Sequence, residues 1–472
     1  MYIPEIKIIS QTVKSIPLSS TTTFLDFYFK KVGKGQYVSL LLSGGNHELS
    51  QYSIGGTNPY LIIKAKGENI HCIHDTSEYT FHCNPFTYLK KTINAIKIKN
   101  IKFKHLPLSC GCIGYFGYEL KNILERLPQT AHDDLNLPDM YFVFYSTFYI
   151  YSLATKKLLR IDNTGPGISR IKSKNNAPET EPDCSYAPLT HLTLHSNFTH
   201  DEYIIAIKRI KEYIKAGDIY QANLSQRFHI SAPQIVPSQL FKYLFNLNPA
   251  PFFAFLDGGD FQILSSSPER FLYLRDSKVE TRPIKGTRPR MKSKEEDNTS
   301  KMELLSSSKD DAELSMIVDL LRNDLGRVCR IGSVCVYEHK RIEAYTNVYH
   351  LVSIIQGRLL SQKSPVDLIE ACFPGGSITG CPKIRSMEII DELESVVRSV
   401  YCGSIGYISL DGAMDMNIAI RTIIYRRGTY YFNVGGGIVY DSNPEEEFQE
   451  TIHKGESIIK ALRMTTLNRH EF

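Results

Sequence analysis

The stretch MYFVFYSTFYIYSL at residues 140–153 is apolar and aromatic along almost its whole length. It is shorter than the roughly 20 residues that a helix needs to cross a bilayer. Its aromatic, Ser and Thr residues are typical of strands. We therefore predict a buried strand rather than a membrane segment, and the 472 residues, 42% of them hydrophobic, are enough to build a large core around it.

Strand-like and helix-like patterns are mixed along the rest of the chain. Short apolar runs such as YVSLLLS and YLIIKAKG are separated by turns, which predicts strands. The segment FTHDEYIIAIKRIKEYIKAGD predicts a helix, with Thr199 and Glu202 as a capping box and Gly217 at its end. Two more helices are predicted to begin near Pro382 and Pro444, because proline suits the first helical position.

Residues 164–188, TGPGISRIKSKNNAPETEPDCSYAP, are rich in Gly, Pro and Asn and lack apolar periodicity. Such a composition predicts a loop or linker. It divides the chain into an N-terminal region, residues 1–188, and a C-terminal region, residues 189–472.

Charge and cysteine usage narrow the class of protein. The formal net charge of +5 is spread over the chain without a basic run, so we expect no nucleic acid partner. Ten cysteines without a CxxC pair or a zinc spacing favour a reduced, cytoplasmic setting. The first residues, MYIPEIKIIS, lack the basic and apolar regions of a signal peptide.

An acidic helix is predicted within DSNPEEEFQETIHKGESIIKAL, residues 441–462. If Pro444 begins it, then Glu447, Glu450 and Lys454 lie on one face. Glutamates one turn apart repel each other, and a divalent cation would relieve the repulsion. A solvated acidic helix start that complements the helix dipole also accounts for the spacing, so both interpretations stay open.

Two segments of small residues are candidate anion seats. Gly435, Gly436 and Gly437 end a predicted strand, where bare N–H groups can approach an anion closely. In FPGGSITGCPKIRSMEIIDELE, Ser377 and Thr379 precede a predicted helix N-terminus. A tight turn is the alternative for the glycines, and the segment contains no Walker motif.

Four single residues each have an ordinary and a functional interpretation. Glu313 lies near the start of a helix predicted from Asp311, where acids commonly complement the dipole. Glu269 in SSSPERFL is by itself an ordinary loop acid. His350 lies in an apolar run, which is typical of a core histidine with a satisfied ring. Arg421 is flanked by strand-like apolar residues, so we expect a carboxylate partner for it.

Taken together and in order, the motifs resemble those of a known family. From about residue 200 to 465 the chain resembles the chorismate-utilising enzymes, on the blocks GDIYQANLSQRF, SSSPERFL, PIKGTRPR, DDAELSMIVDLLRNDLGRV, FPGGSITGCPKIRSMEIIDELE, CGSIGYISLDGAMDMNIAIRTI and GGGIVYDSNPEEEFQET. Before about residue 190 the resemblance is thinner, on LLSGG and GCIGYFGYEL. It implies an α+β fold, a mixed α/β sandwich of two large, orthogonally packed and mostly antiparallel sheets, with helices outside and chorismate in a cleft between layers.

The resemblance also implies roles for residues. Glu313 and Glu447, with Glu450 nearby, would hold Mg²⁺ against the ring carboxylate of chorismate, and Glu269 would be the general acid. The substrate-binding residues would be Ser377, Gly435, Gly436 and Gly437 at the ring carboxylate with Thr379 beside them, Arg421, Tyr401 and Lys454 at the enolpyruvyl carboxylate, and His350 along the ring. A dianionic substrate does require a metal, cationic side chains and bare amides.

Lys285 in PIKGT distinguishes branches of this family. Members that form anthranilate, isochorismate or salicylate resemble one another in having PIAGT, whereas PIKGT is similar to the aminodeoxychorismate synthases. Isochorismate-type members carry a water-activating lysine where this chain has Gln221, which cannot act as that base. The resemblance therefore implies conversion of chorismate and ammonia to 4-amino-4-deoxychorismate, on the route to para-aminobenzoate and folate, through a covalent adduct of the lysine at C2.

Lys285 must be neutral in order to attack. A free lysine has a pKa of about 10.4, and lowering it to near 7 takes about 4 kcal/mol. Burial and nearby positive charge both act in that direction, and we expect Arg282, Arg288, Arg290 or the metal to contribute.

Partners and alternatives also follow from the resemblance. Ammonia is expected from a separate glutamine amidotransferase subunit. A tryptophan pocket in the N-terminal part is compatible with Ser43 in LLSGG and Pro249 in NPAPF, but the LLES element of anthranilate-type members is absent, which argues against feedback inhibition. The alternatives are anthranilate synthase component I and an inactive chorismate-fold binding subunit. The second is disfavoured because the acid, the nucleophile and the metal ligands occur together.

Overall fold

The computed structural model describes residues 1–19, 23–99, 101–171 and 193–467. Helices and strands are mixed along the chain, and every pairing within the large sheets is antiparallel. This confirms the α+β class expected from the sequence.

In the described part of the chain, the helices are α1 (Phe24–Phe27), α2 (Pro85–Ala95), α3 (Lys121–Leu124), α4 (His200–Lys215), α5 (Pro237–Leu247), α6 (Lys294–Ser306), α7 (Ser308–Gly326), α8 (Pro365–Cys372), α9 (Lys383–Leu393) and α10 (Pro444–Leu467). A π-helical turn, Tyr28–Val32, and two 3-10 turns, Tyr118–Leu120 and Gly376–Ile378, complete the helical segments.

The strands in the same part of the chain are β1 (Lys7–Ile8), β2 (Ser10–Ile16), β3 (Ser39–Leu42), β4 (Tyr52–Lys66), β5 (Asn69–His74), β6 (Ser77–His82), β7 (Lys97–Ile98), β8 (Gly111–Phe116), β9 (Met140–Ser152), β10 (Leu158–Thr164), β11 (His195–Ser196), β12 (Gln221–Ser231), β13 (Phe252–Asp257), β14 (Gln262–Ser267), β15 (Arg270–Arg275), β16 (Lys278–Thr281), β17 (Ile284–Pro289), β18 (Cys335–Ala344), β19 (Val348–Arg358), β20 (Gly380–Cys381), β21 (Ser404–Ser409), β22 (Met414–Asn417), β23 (Thr422–Arg426) and β24 (Thr429–Ile438).

Two large sheets share the long strands β4 and β9. The first sheet runs in the order β2, β10, β9, β4, β3, β13, β14, β23, β24 and β12, with the short β11 and β20 paired to β12. The second runs β6, β5, β4, β9, β8, β21, β22, β15, β16, β19 and β18, with β17 also paired to β19. A register shift between Pro59 and Leu61 marks where β4 passes from one sheet to the other.

Strands of the N-terminal and C-terminal regions lie side by side in both sheets. β3 pairs with β13 in the first sheet, and β8 pairs with β21 in the second. The predicted linker over 164–188 begins at the last residue of β10. From residue 172 onward this linker, including the predicted boundary at residue 188, lies outside the described residues.

Several local predictions are confirmed. The stretch at 140–153 forms the buried strand β9, and no helix in the described part of the chain is long and apolar enough to cross a membrane. Thr199 and Glu202 form the capping box of α4, and Gly217 follows its end with a φ of +83°. Pro444 is the first residue of α10, whereas Pro382 is the N-cap of α9 rather than its first residue.

Outer helices bring the candidate site together. α10 packs on β24, where Ile458 and Leu462 join the apolar cluster around Phe432. α7 packs on β17 and β19, with Ile317 buried in the same cluster as Leu351. Because apolar faces fix both helices against the sheets, Glu313 of α7 lies beside Lys285 of β17, and Glu447 of α10 lies beside Gly436 of β24.

Candidate active site

Lys285 points into the protein rather than into bulk water. Its side chain is only 13% exposed, and its Nζ lies 3.7 Å from Oε2 of Glu313 on α7. The same nitrogen is 3.3 Å from the point where a side chain on Gly437 would begin. Gly286 has a φ of +66°, and the pairing of β17 with β19 shifts register between Lys285 and Thr287. This bulge, which the glycine permits, aims the lysine between α7 and β24.

The three arginines that surround Lys285 in the sequence all form ion pairs with carboxylates. Each has its own carboxylate at 2.6–3.1 Å: Arg282 with Glu280, Arg288 with Asp310, and Arg290 with Asp297. Their charges are balanced by Glu280, two residues from Arg282, and by Asp297 and Asp310 on the two following helices, so their contribution stays a prediction.

Glu269 is a buried carboxyl placed to act as an acid. Only 5% of the residue is exposed, and burial raises its pKa to about 7. A hydrogen bond from Ser377, the charge of Lys285 and the backbone N–H of Ile284 oppose that rise. A carboxyl that titrates near neutrality is suited to donating a proton at physiological pH.

Replacing Glu269 by glutamine is expected to stabilise the protein at neutral and alkaline pH. The wild-type carboxyl titrates near 4.5 when unfolded and near 7 when folded. Its contribution to stability is complete below about pH 4.5 and is lost as the pH rises to about 7, a loss of roughly 3 kcal/mol that glutamine does not suffer.

Urea unfolding of both proteins at pH 5 and pH 8 measures this effect. The stability of Glu269→Gln relative to wild type should increase between the two pH values, while Glu303→Gln, at an exposed position on α6, should show no such change. A difference that is the same at both pH values would contradict the burial of an acid with a raised pKa.

The acidic face predicted on α10 is present. Oε1 of Glu450 lies 2.6 Å from Nζ of Lys454, which also donates a 2.9 Å hydrogen bond to the carbonyl of Gly435. A side chain on Gly436 would begin 3.2 Å from Oε2 of Glu447. The end of β24 therefore passes between the α10 carboxylates and the Lys285 amine.

The two glutamates on this face have pKa shifts of opposite sign. Burial raises the pKa of Glu447, and Glu450 adds to the rise, although a 2.6 Å hydrogen bond from the Ser442 hydroxyl opposes it. Burial also acts to raise the pKa of Glu450, but the charges of Lys454 and Lys309 outweigh it and the net shift is downward. The site therefore holds closely placed carboxylates whose repulsion is relieved by lysines.

The donor set fits a magnesium ion, although it does not form a complete cage. In the described part of the chain, no three carboxylate, histidine or cysteine side chains converge on one point. Glu313 on α7 lies 3.7 Å from Lys285, and Glu447 on α10 lies next to Gly436 of β24, so each helix offers one carboxylate. Magnesium prefers hard oxygen ligands and is commonly held by one or two carboxylates, with water and substrate oxygens completing the shell.

One of the two ring nitrogens of His350 has a hydrogen-bond partner in the described structure. Its Nδ1 lies 3.0 Å from the Thr287 hydroxyl, but its Nε2 is buried and has no partner among the residues that the structure describes. Burial lowers its pKa to about 3, so the ring is neutral at physiological pH. The ring of Tyr345 stands edge-on at 5.0 Å, and its hydroxyl donates a 3.1 Å hydrogen bond to the carbonyl of Pro268. Nothing in the sequence marked Tyr345, which reaches the site only through the β18–β19 turn.

Arg421 is a partly buried cation, and no protein anion lies beside it among the described residues. Its backbone has a φ of +50°, and its carbonyl accepts 3.0 Å hydrogen bonds from both the N–H and the hydroxyl of Ser266. Among the residues that the structure describes, no carboxylate pairs with it, and burial lowers its pKa. The expected carboxylate partner within the protein is therefore wrong, and the guanidinium is left as a seat for an anionic ligand.

Two of the three glycines in the triplet have almost no room for a side chain. A side chain on Gly437 would begin 2.1 Å from Nε2 of Gln221, and one on Gly435 would begin 2.5 Å from the carbonyl of Leu224. β12 pairs with these glycines along one edge, while β23 pairs only with the earlier residues 429–432 of β24. The other edge of the triplet therefore has no strand on it in the described structure, which leaves room for a ligand.

Two predicted substrate-binding residues are directed elsewhere. The Thr379 hydroxyl is buried and donates a 3.0 Å hydrogen bond to the carbonyl of Gly375. Tyr401 is buried in the apolar core, with its ring centre 6.0 Å from the guanidinium of Arg398. The roles expected for Thr379 and Tyr401 stay predictions.

A separate cavity of about 500 Å³ lies between the N-terminal region and β13, β15 and β22. Ser43 lines it and donates a 2.9 Å hydrogen bond to the carbonyl of Pro251. Pro249 packs behind Gly44, where a side chain would begin 2.9 Å from the proline ring. Arg270 and Glu280 make a charged wall.

The comparison with known families decides which class of protein presents this site. A family model of chorismate binding enzymes matches residues 42–460. The chain belongs to the chorismate-binding enzymes. This chorismate-binding enzyme is 39% identical to aminodeoxychorismate synthase component 1 of Escherichia coli (strain K12). The alignment of 440 residues covers 93% of this chain and 96% of that protein.

Other relatives of this chorismate-binding enzyme carry a different activity in their names. Anthranilate synthase component 1 of Acetivibrio thermocellus is 35% identical over 484 residues, with 97% of each chain covered. The crystal structure of anthranilate synthase component I from Streptococcus pneumoniae TIGR4 superposes with a TM-score of 0.75 at 31% identity, over 93% of this chain and 98% of that one. The family and fold expected from the sequence are thereby confirmed.

Proposed function

We propose that this chorismate-binding enzyme converts chorismate and ammonia to 4-amino-4-deoxychorismate, as an aminodeoxychorismate synthase component I (para-aminobenzoate synthase large subunit). The observation that carries the proposal is the position of Lys285, a primary amine that is largely buried, 3.7 Å from Glu313 and beside Gly437. An amine held among the candidate substrate-binding groups is what nucleophilic catalysis on the ring requires.

The proposed reaction has two displacements. In the first, the neutral amine of Lys285 forms a bond to C2 of chorismate while the C4–O bond breaks, and Glu269 protonates the departing hydroxyl so that it leaves as water. In the second, ammonia forms a bond to C4 while the bond between C2 and the lysine nitrogen breaks. Nitrogen thus takes the place of the C4 hydroxyl, and the lysine is regenerated.

Magnesium is the cofactor that we propose for this reaction. Glu313 and Glu447 would hold it, with Glu450 nearby, and it would supply positive charge at the ring carboxylate. We assign that carboxylate to the bare edge of the glycine triplet and to the Ser377 hydroxyl.

The second carboxylate of chorismate is assigned to the cationic end of the site. Within the described part of the chain, the Arg421 guanidinium has no carboxylate partner and Nε2 of neutral His350 has no hydrogen-bond partner, so both can bind the substrate. Lys454 reaches the site from α10, although its ammonium is engaged by Glu450 and Gly435. Arg421 is therefore the stronger anion-binding group.

We also propose a partner subunit, a ligand for the second cavity and a cellular location. The component 1 name of the relatives favours a separate glutamine amidotransferase subunit as the ammonia source. The cavity that Ser43 lines is large enough for an amino acid, and tryptophan is our proposal for its ligand. We also propose a cytoplasmic location.

Anthranilate synthase component I is the second candidate. The similarity to proteins of that name over nearly the whole chain favours it, whereas the lysine at position 285 favours the 4-amino product. The two activities differ in which ring carbon receives nitrogen. An inactive binding subunit is the third candidate.

One assay distinguishes these candidates. The purified protein is incubated with chorismate, Mg²⁺ and ammonium at pH 8 or above, where free ammonia is available, and the products are identified by chromatography and mass. We expect 4-amino-4-deoxychorismate, lost on chelation of Mg²⁺ by EDTA. Anthranilate as the main product would select the second candidate, and unchanged chorismate would select the third.

A further inference from the structure

Arg398 and Glu394 form a fully buried ion pair behind the candidate active site. Their side chains are 1% and 4% exposed, and Nη2 and Nε of the arginine lie 2.6 and 2.8 Å from the two carboxylate oxygens. Removing two charges from water is costly, and an apolar pair of similar size would often serve the fold equally well. The other hydrogen bonds of the pair show which segments of the site it fixes in place.

The guanidinium of Arg398 binds two backbone segments of the site. Nη1 donates a 3.0 Å hydrogen bond to the carbonyl of Ile378, in the turn that carries Ser377. Nη2 donates to the carbonyl of Asn223 on β12. The N–H of Asn223 in turn donates a 2.7 Å hydrogen bond to the carbonyl of Thr379. A single planar cation therefore sets the spacing between the turn and the strand.

Glu394 holds the same strand next to the glycine triplet. Its Oε1 accepts hydrogen bonds of 2.8 and 3.0 Å from the N–H and the hydroxyl of Ser225. In the sheet, Ser225 lies opposite Gly435 and Asn223 lies opposite Gly437. The ion pair thus forms hydrogen bonds with β12 at the two residues that pair with the first and last glycines of the triplet.

The N-terminal region closes the other side of the pair. Oε1 of Glu119 accepts a 3.0 Å hydrogen bond from the N–H of Arg398, and the Tyr118 ring centre lies 4.8 Å from the guanidinium. Both residues belong to the segment GCIGYFGYEL, which otherwise has no part in the proposed chemistry.

We propose that Arg398 and Glu394 are positioning residues that fix the Ser377 turn against the glycine triplet, and so hold the anion seat and the Ser377–Glu269 hydrogen bond in register. The identity of the substrate rests on the proposed function. The spacing between the turn and the triplet affects binding as long as chorismate lies between these two segments.

The test compares Arg398→Lys with wild type. Lysine keeps the charge but lacks the planar fork that reaches Glu394, Ile378 and Asn223 together. We expect KM for chorismate to rise by about tenfold or more, with a smaller fall in kcat. The alkaline limb of the pH profile should also move to higher pH, because a loosened Ser377 hydrogen bond opposes the raised pKa of Glu269 less.

Arg227→Lys is the matched control. Arg227 is another buried arginine on β12, paired with Asp134, and it contacts neither the turn nor the glycine triplet. Its kinetic constants should stay within about twofold of wild type. A lower melting temperature of Arg398→Lys, with an unchanged KM and an unchanged alkaline limb of the pH–rate profile, would overturn the proposal. Such a pattern would indicate that the pair is purely structural.

Ser225→Ala keeps the proposal testable if Arg398→Lys does not fold. It removes one hydrogen bond to Glu394 and should raise KM about threefold at a near wild-type melting temperature. An unchanged KM would overturn the proposal. Activity is followed as chorismate consumption, so an anthranilate product would reject the proposed function while leaving this result interpretable.

Discussion

Replacement of Lys285 by alanine is expected to lower the rate of 4-amino-4-deoxychorismate formation by about 10³-fold or more, because the variant lacks the atom that bonds to C2. The wild-type amine is largely buried beside Glu313 and the glycine triplet, where no solvent nucleophile replaces it in the same geometry. Intact mass spectrometry with chorismate and Mg²⁺ but without ammonia should show an adduct of the wild-type protein that the variant lacks.

Lys278→Ala is the control for that experiment. Lys278 is an exposed lysine on the neighbouring strand β16, so its loss should change neither the rate nor the adduct. Retention of the adduct in Lys285→Ala, or a rate within about tenfold of wild type, would remove the covalent step and with it the main reason for preferring the 4-amino product.

Replacement of Glu269 by glutamine is expected to lower kcat/KM by about 10²–10⁴-fold, the usual contribution of a general acid. The wild-type carboxyl must be protonated to act, and its pKa is about 7. Wild-type activity should therefore fall as the pH rises above about 7, and the residual activity of the variant should lack this alkaline limb. Initial rates between pH 6 and 9 at saturating ammonia measure both effects.

Substrate binding separates a chemical role of Glu269 from a packing role. Glutamine has nearly the same shape and can still bond to Ser377, so the affinity for chorismate, measured by calorimetry without ammonia, should stay close to wild type. Glu303→Gln should match wild type in rate and in pH profile. Near-normal turnover by Glu269→Gln would assign the proton to another group.

Local sequence patterns predicted the parts of the site that lie on one element. The helical period placed Glu447 and Glu450 on one face of α10, and Pro444 located the start of that helix. The length of the apolar stretch at 140–153 and its aromatic, Ser and Thr content predicted the strand β9. These predictions succeed because the interactions that decide them act within a few residues.

Long-range neighbours could not be predicted in the same way. Arg288 is neutralised by Asp310 and Arg290 by Asp297, and both acids come from helices that reach β17 only in the folded chain. The apolar residues on both sides of Arg421 in the sequence indicated that its side chain would be removed from water. They did not indicate whether an anion would lie near it. The partners of a charge depend on tertiary packing, which has no local signature.

The motif resemblance reached further than the local patterns because it carries information about tertiary arrangement. It placed Lys285 and Glu313 in one site, and the structure shows their side chains 3.7 Å apart. It assigned no role to the buried pair Arg398–Glu394, although Glu394 is the last residue of the block FPGGSITGCPKIRSMEIIDELE. The pair contacts the backbone of Ile378, Asn223 and Ser225.

The sharing of β4 and β9 between the two sheets has a consequence for how this protein is made. During synthesis, β3 and β8 emerge from the ribosome long before their partners β13 and β21, so the nascent chain carries unsatisfied strand edges for much of its translation. Neither half can complete its hydrogen bonding alone. Chaperone protection of the growing chain, rather than stepwise folding of separate modules, is the expected route to the native state.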